Sequence, residues 1–301
     1  MKNFFSASFA SVQGPSHRKS EPQVPCQDAS RILCLENGAW VMAVSDGAGS
    51  SAFSHDASRF CTDDIIKRIA VYDLSAFKET PTNLNDTKRA WHLVGVQLFN
   101  ATRNSLLDKC KMDGRDVSEM HCTLILIIQT EWGFLSANIG DGRAGYFDGE
   151  PKVLTVPFQT FTAGATYFLI KEQWQNIMRS DVHVLEDSNN LKYFFASTDG
   201  PQHYIMDNRD EHRVKAGTSG IYDDILGKEA YYDFNRAFHP FFEGLINSLN
   251  ELNTEEERNN RLYRLLDEGI YSIGGKETEL KSLLAPWLDD DKTLVVVYNT
   301  N

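Results

Sequence analysis

Five aspartates stand where apolar runs begin or end, and a carboxylate so placed can do chemistry. Asp46 closes WVMAVSDG, Asp141 closes FLSANIGDG and Asp199 closes YFFASTDG. Asp28 precedes SRILCL, and Asp290 precedes TLVVV by a few residues. Short runs rich in β-branched and aromatic residues read as buried strands. A side chain at a strand end stands on the rim of a sheet, where distant parts of the chain can meet. Several carboxylates meeting at one point repel each other, so the arrangement calls for a hard cation such as Mg²⁺ or Mn²⁺. The chemistry this predicts is hydrolysis at a pair of metal ions. The competing reading is turn formation, because Asp-Gly is a common turn dipeptide and turns follow strands. Each aspartate taken alone fits that reading; the repetition is what points to metal.

The elements that must position these residues follow from periodicity. A first strand covers Phe4 to Val12 and fits the N-terminus better than a signal peptide does. A polar loop carrying His17 and Arg18 comes next. Strands at Ala29 to Leu35 and Trp40 to Ser45 flank Glu36-Asn37-Gly38, a hairpin signal. Ser50 and Ser51 are N-cap residues for a helix in which Phe53, Ala57, Phe60, Ile65, Ile69 and Tyr72 recur at helical spacing. A second helix runs from Lys88 to Lys111, with Trp91, Val94, Leu98 and Ala101 on one face. Strands follow at Cys122 to Gln129, Gly133 to Ile139, Gly142 to Phe147, Lys192 to Ser197 and Thr293 to Tyr298. Residues 201–288 read as mainly helical, with amphipathic helices at Tyr232 to Leu249 and Thr254 to Leu266. Together these predict a single α+β domain over 1–301, antiparallel sheet predominating, with an insertion at 201–288.

Composition narrows the function classes. At 301 residues and 42% hydrophobic, the chain can bury a core that needs no disulfide or metal staple. A formal charge of −12 repels nucleic acid on average. The longest aliphatic run, Leu124 to Ile128, is too short to span a bilayer. Neither nucleic acid nor membrane is therefore expected as a partner. The cysteines number five, an odd count without C-x-x-C spacing, which suits reduced thiols and a cytoplasmic location. Trp91, Trp132 and Trp287 read as packing residues, and Glu255 to Glu257 as a helix start where negative charge suits the dipole.

The order of short motifs carries more. CQD (Cys26 to Asp28), SDGAGS (Ser45 to Ser50), CTL (Cys122 to Leu124), IGDGR (Ile139 to Arg143), STDG (Ser197 to Gly200) and DDKT (Asp290 to Thr293) each adjoin a predicted strand. In this order they resemble the PPM/PP2C family of metal-dependent protein serine/threonine phosphatases, in its bacterial form. The resemblance implies a four-layer αββα sandwich, two antiparallel sheets flanked by helix pairs. It implies that Asp46 bridges two metals and that the Gly47 carbonyl binds one of them. Asp199 and Asp290 would complete the first metal, Asp28 would lie near the second, and Asp141 would help hold a third, weaker ion. The catalytic set would be Asp46, Asp28 and Asp199, with two or three Mg²⁺ or Mn²⁺ ions as cofactors. The substrate would be a phosphorylated protein, and the phosphatase would reverse the action of a cognate Ser/Thr kinase. Water activated by the cations would attack phosphorus in line, with no phosphoenzyme.

This sequence departs from the family pattern at several positions. Gln27 stands where many members carry a glutamate ligand, so Gln27→Glu is expected to tighten the second metal. Ala48 stands where many eukaryotic members carry a histidine; His17, His55 and Asp56 are the nearest substitutes for a proton donor. Arg18 or His17 is the candidate phosphate-binding residue, against a solvated-loop reading. Within Asp289-Asp290-Asp291 the spacing to Thr293 favours Asp290 as ligand, with Asp291 the alternative. Two other functions remain open: a catalytically weak regulatory module that binds a phosphoprotein or kinase, and a hydrolase of small phosphoesters. Residues 201–288 would form a flap over the site.

Overall fold

The computed structural model describes residues 5–155, 166–201, 205, 238–273, 276–279 and 290–300. The N-terminal part runs β1 (Phe5–Val12), the short helix α1 (Pro15–Lys19), β2 (Ala29–Cys34), β3 (Trp40–Ser45), α2 (Ser54–Val71) and α3 (Leu84–Asp113). Then come β4 (Leu124–Gln129), β5 (Gly133–Ile139), β6 (Arg143–Phe147), β7 (Pro151–Val153), the single turn α4 (Trp174–Ile177), β8 (Arg179–Val184) and β9 (Tyr193–Ser197). The C-terminal part holds α5 (His239–Asn250), α6 (Glu255–Glu268), the hairpin β10 (Ile270–Ile273) and β11 (Lys276–Glu279), and β12 (Lys292–Asn299). Two five-stranded sheets result, ordered β1-β12-β9-β6-β7 and β2-β3-β4-β5-β8. Every strand pairing within them is antiparallel.

The layers explain why the strand sequences are apolar throughout instead of alternating. In β4, Leu124, Leu126 and Ile128 face a core with Cys61, Ile65, Trp91 and Leu98 of α2 and α3. Ile125 and Ile127 face the other way, into a core between the sheets with Phe194, Val295 and Val297. In β12, Leu294, Val296 and Tyr298 face a third core with Phe242, Leu245, Leu262 and Leu266 of α5 and α6. A strand buried on both faces has no reason to carry polar residues, and each fully buried aliphatic side chain stabilises by roughly 1.5–3 kcal/mol. The arrangement is therefore the expected αββα sandwich of an α+β protein.

Local signals mostly act as expected. The Asn37-Gly38 turn closes the β2–β3 hairpin, with Gly38 at φ 84° and Ala39 N–H donating to Asn37 Oδ1 at 3.0 Å. Thr254 and Glu257 form a capping box at the start of α6. Trp91 and Trp132 are buried, and each indole N–H donates to a backbone carbonyl, of Ser136 at 2.7 Å and of Phe77 at 2.9 Å. Trp287 lies outside the described residues.

Some expectations are corrected. α2 begins at Ser54, with Phe53 in the N-cap position and no side-chain cap, so Ser50 and Ser51 do not cap it. Strand β8, RSDVHV, was not expected: it is an edge strand with mixed polarity. Residues 270–279 contain a strand pair inside a region expected to be mainly helical. Of that region, the start of the expected helix at Tyr232 and most of the expected flap lie outside the described residues.

Candidate functional site

The rim of the sandwich is built by backbone pairing continued past the strands. Beyond β3, Thr123 N–H donates to Asp46 O at 2.8 Å, and Asp46 N–H donates to Thr123 Oγ1 at 2.8 Å. Ser45 Oγ donates to Thr123 O at 2.5 Å, and Gly47 forms an isolated bridge with Cys122. Asp46 is thereby fixed to the start of β4. A Cβ at Gly47 would lie 2.7 Å from Gln27 O and 2.8 Å from Ser54 O, so only glycine lets these segments pack this closely.

A second junction joins β2, β9 and β12. The Thr198 hydroxyl donates to Asp28 Oδ2 at 2.7 Å and accepts from Thr293 N–H at 3.0 Å. Thr198 N–H donates to Thr293 O at 3.1 Å. One threonine so holds Asp28 beside the ends of the two central strands that precede Asp199 and follow Asp290. A Cβ at Gly200 would lie 1.9 Å from Asp291 O, which explains the glycine after Asp199.

These junctions bring carboxylate oxygens of Asp46, Asp141 and Asp199 within 4.8 Å of one another. Burial raises the Asp46 pKa well above the usual carboxylate range, and Asp28, Asp199, Asp290 and Asp141 raise it further. Burial, then Asp141 and Asp290, push Asp199 up to about 7. Burial also raises Asp141 and Asp28, the latter helped by Asp291. Arg143 is a buried cation among these acids; its Nη1 donates to Asp141 O and its charge lowers the pKa of Asp141 and Asp199. One arginine does not balance the surrounding aspartates.

The residues fit a metal ion on two observations. Asp141 Oδ1 is buried without a hydrogen-bond partner, an acceptor left free for a cation. The donor set is carboxylate oxygen, which suits Mg²⁺, Mn²⁺ or Ca²⁺ over softer metals. Oxygens bound directly to one Mg²⁺ at about 2.1 Å lie no more than about 4.2 Å apart.

The expected ligands do not all stand alike. Asp141, expected at a third, weaker ion, lies in the tight group. Asp290 lies outside it: it is exposed, and its Oδ1 accepts from Asp291 N–H at 2.8 Å. It remains near enough to raise Asp46 and Asp199. Asp291 is buried and taken up by structure. Its Oδ1 accepts from Gly14 N–H at 2.6 Å and lies 3.0 Å from His17 Nδ1, and its Oδ2 accepts from Gln27 N–H at 2.6 Å. That disposes of Asp291 as the alternative ligand. It also corrects the phosphate-binding expectation: His17 is held by Asp291, which raises its pKa. Arg18 pairs with Asp267 of α6 and donates from Nε to Gln13 O at 3.0 Å. Asp291 and Asp267 thus engage both side chains.

Gln27 is engaged through its amide nitrogen. Its amide nitrogen donates to Ser54 Oγ at 2.6 Å and approaches Ala48 O and Ser51 O, each at 3.3 Å. Its Oε1 is buried without a partner. Gln27 pins the loop between Asp46 and α2 by donating, which a glutamate cannot do. The suggested proton donors His55 and Asp56 lie on α2, where Asp56 pairs with Arg115. Sequence reasoning overlooked His121, which faces Ala48 across the bridge: Ala48 N–H donates to His121 O at 3.0 Å, and His121 Nδ1 lies 3.0 Å from Ser51 Oγ. It also passed over Thr198, Arg143 and the buried Lys292, whose Nζ donates to Asp290 O at 3.1 Å.

A family model described as protein phosphatase 2C matches residues 13–267. The chain belongs to the protein phosphatase 2C family. Membership makes it a phosphoprotein phosphatase of the metal-dependent class and disfavours the regulatory and small-phosphoester readings. Solved phosphatase structures share the fold over nearly the whole chain. A bacterial serine phosphatase is 14% identical over 98% of both chains, with TM-score 0.52. Serine/threonine phosphatase Stp1 from Staphylococcus aureus is 14% identical over 98% of this chain and 95% of its own, with TM-score 0.53. Photosystem II phosphatase PBCP is 14% identical over 98% of both chains, with TM-score 0.53. No curated protein sequence matches the chain. No described helix is long and apolar enough to cross a membrane.

Proposed function

We propose that this protein phosphatase hydrolyses phosphoserine and phosphothreonine with Mg²⁺ or Mn²⁺ held by Asp46, Asp141 and Asp199. Asp28, Asp290 and the Gly47 carbonyl complete the set, which takes two or three ions. The observation that carries the reading is the convergence of carboxylate oxygens of Asp46, Asp141 and Asp199 within 4.8 Å. When bound, the cations supply an activated water and neutralise phosphoryl charge. The chain's own residues do the positioning. Thr123 and the Gly47–Cys122 bridge hold Asp46, Thr198 holds Asp28, and Arg143 holds the Asp141 backbone. Gln27 keeps the loop after Asp46 in place.

Partner, location and domain organisation follow as proposals: a Ser/Thr kinase whose action is reversed, the cytoplasm, and one domain whose segment around 201–288 flanks the site. The unpaired cysteines speak for a reducing compartment. The test is hydrolysis of a phosphothreonine peptide, p-nitrophenyl phosphate and a nucleotide with EDTA, Mg²⁺, Mn²⁺ or Ca²⁺. Turnover of the peptide with Mg²⁺ or Mn²⁺, abolished by EDTA, is expected. Hydrolysis of the nucleotide alone would overturn the protein-substrate reading.

A further inference from the structure

Beside Asp28 lies a groove of about 290 Å³ that the catalytic reading does not use. Its walls include Phe9 and Ser11 of β1, Ser30 and Arg31 of β2, Cys26, and Arg59 of α2. β1 and β2 are the edge strands of the two sheets, so the groove follows the seam of the sandwich down from the rim. A space of this size is at the lower end of ligand pockets, enough for one or two side chains and too small for a large cofactor.

Its lining is richer in cations than the molecule as a whole. The chain carries −12, yet two arginines stand over this groove. Arg31 is engaged, with Nε on the Asp63 carboxylate and Nη1 donating to Ser30 O at 2.7 Å. Arg59 is exposed, and its guanidinium makes no ion pair or hydrogen bond among the described residues. The acid in the lining, Asp28, has Oδ2 taken by the Thr198 hydroxyl. An arginine fork without a partner over a confined groove matches a carboxylate or a phosphate, which it binds through paired N–H donors.

The groove also adjoins the acids of the rim. Asp28 belongs both to the groove lining and to the acids that surround Asp46. A phosphorylated side chain that reaches those acids brings its neighbouring residues over this seam. We infer that the groove is a subsite for acidic side chains flanking the phosphorylated residue of a protein substrate, and that Arg59 is the residue that selects them; this rests on the phosphatase reading above. Arg59 acts on substrate choice and not on the reacting phosphoryl group.

The experiment compares phosphothreonine peptides carrying Glu or Gln at each position from three before to three after the phosphoresidue. At one or more positions, wild type should turn over the Glu peptide with kcat/KM about fivefold higher, through a lower KM, the scale of a partly exposed ion pair. Arg59→Ala should abolish the difference, Arg59→Glu should reverse it, and Arg59→Lys should keep part of it. Added salt should shrink it. Hydrolysis of p-nitrophenyl phosphate, which has no flanking residues, should be unchanged in all three variants. Equal kcat/KM for Glu and Gln peptides at every position, or a preference that survives Arg59→Ala, overturns the inference. Fluorescence anisotropy with non-hydrolysable phosphonate versions of the same peptides, in Mn²⁺, separates the two readings. Tighter binding of the acidic peptide, lost in Arg59→Ala, upholds the subsite even in a protein that turns nothing over. Equal binding overturns it.

Discussion

Asp199→Asn should stabilise the metal-free protein at neutral pH while removing a ligand. Burial and the neighbouring Asp141 and Asp290 push Asp199 up to about 7, against about 3.9 in an unfolded chain. A carboxyl raised by folding is still protonated in the native state where the unfolded chain has already lost its proton. Folding then takes up a proton, and this group's contribution falls as pH rises from about 4 to about 7. At pH 7.5 the ionised site costs about 4 kcal/mol by this linkage. Asparagine cannot ionise and avoids that cost, so without metal the variant should melt roughly 6 °C above wild type at pH 7.5. The gap should close toward pH 4, where the unfolded chain also begins to protonate Asp199. Mn²⁺ should reverse the order, because a ligand that binds only the native state stabilises wild type and not the variant. Thermal melts of both proteins in EDTA and in Mn²⁺, from pH 4 to 8, provide the assay. A metal-free variant no more stable than wild type at pH 7.5, or a gap independent of pH, would refute the reasoning that these acids repel one another in the apo site.

Other substitutions separate positioning from ligation. Asp291→Ala strands two backbone donors and His17, and should cost about 3 kcal/mol or more in urea unfolding with or without metal. Asp290→Asn should leave urea stability close to wild type and raise the Mn²⁺ concentration needed for half-maximal turnover. Gln27→Glu turns an amide donor into an acceptor facing Ala48 O and Ser51 O, so it should lower stability by about 1–3 kcal/mol and leave metal demand no better; a lower Mn²⁺ requirement would restore Gln27 as a position facing the metal. Cys122→Ser should retain most turnover, since the Cys122 thiol packs against Cys61 Sγ at 3.7 Å, on the face away from the rim; a large loss in a folded protein would point to a thiol mechanism.

The strands and their terminal aspartates were legible because burial on both faces leaves uninterrupted aliphatic runs, and each run stops at a carboxylate on the rim. The hairpin at Asn37-Gly38 and the capping box at Thr254 were legible because a few residues suffice to specify them. β8 was not, since an edge strand with one covered face tolerates Asp181 and His183. Of the site, residue types showed which carboxylates could converge but not which oxygens stay free. Asp290 and Asp291 look alike in sequence, and only the donors from Gly14 and Gln27, far away along the chain, decide that Asp291 is structural. Arg18 looked available because its partner, Asp267, lies 249 residues later. Thr198 went unremarked because its hydroxyl acts by joining Asp28 to Thr293, a contact that exists only once three strands have assembled.

The central claim is that cations held by the rim aspartates carry out the hydrolysis, and Asp46, whose charge is felt with those of Asp28, Asp141, Asp199 and Asp290, tests it most directly. Mn²⁺ binding by calorimetry and phosphothreonine-peptide turnover should be measured side by side for wild type and Asp46→Asn. The account predicts Mn²⁺ binding and metal-dependent turnover in wild type. In a folded Asp46→Asn protein it predicts weakened binding and turnover lower by at least a hundredfold, about 2.7 kcal/mol of lost transition-state stabilisation. Near-normal turnover in the variant, or turnover in wild type that persists in EDTA, would contradict it.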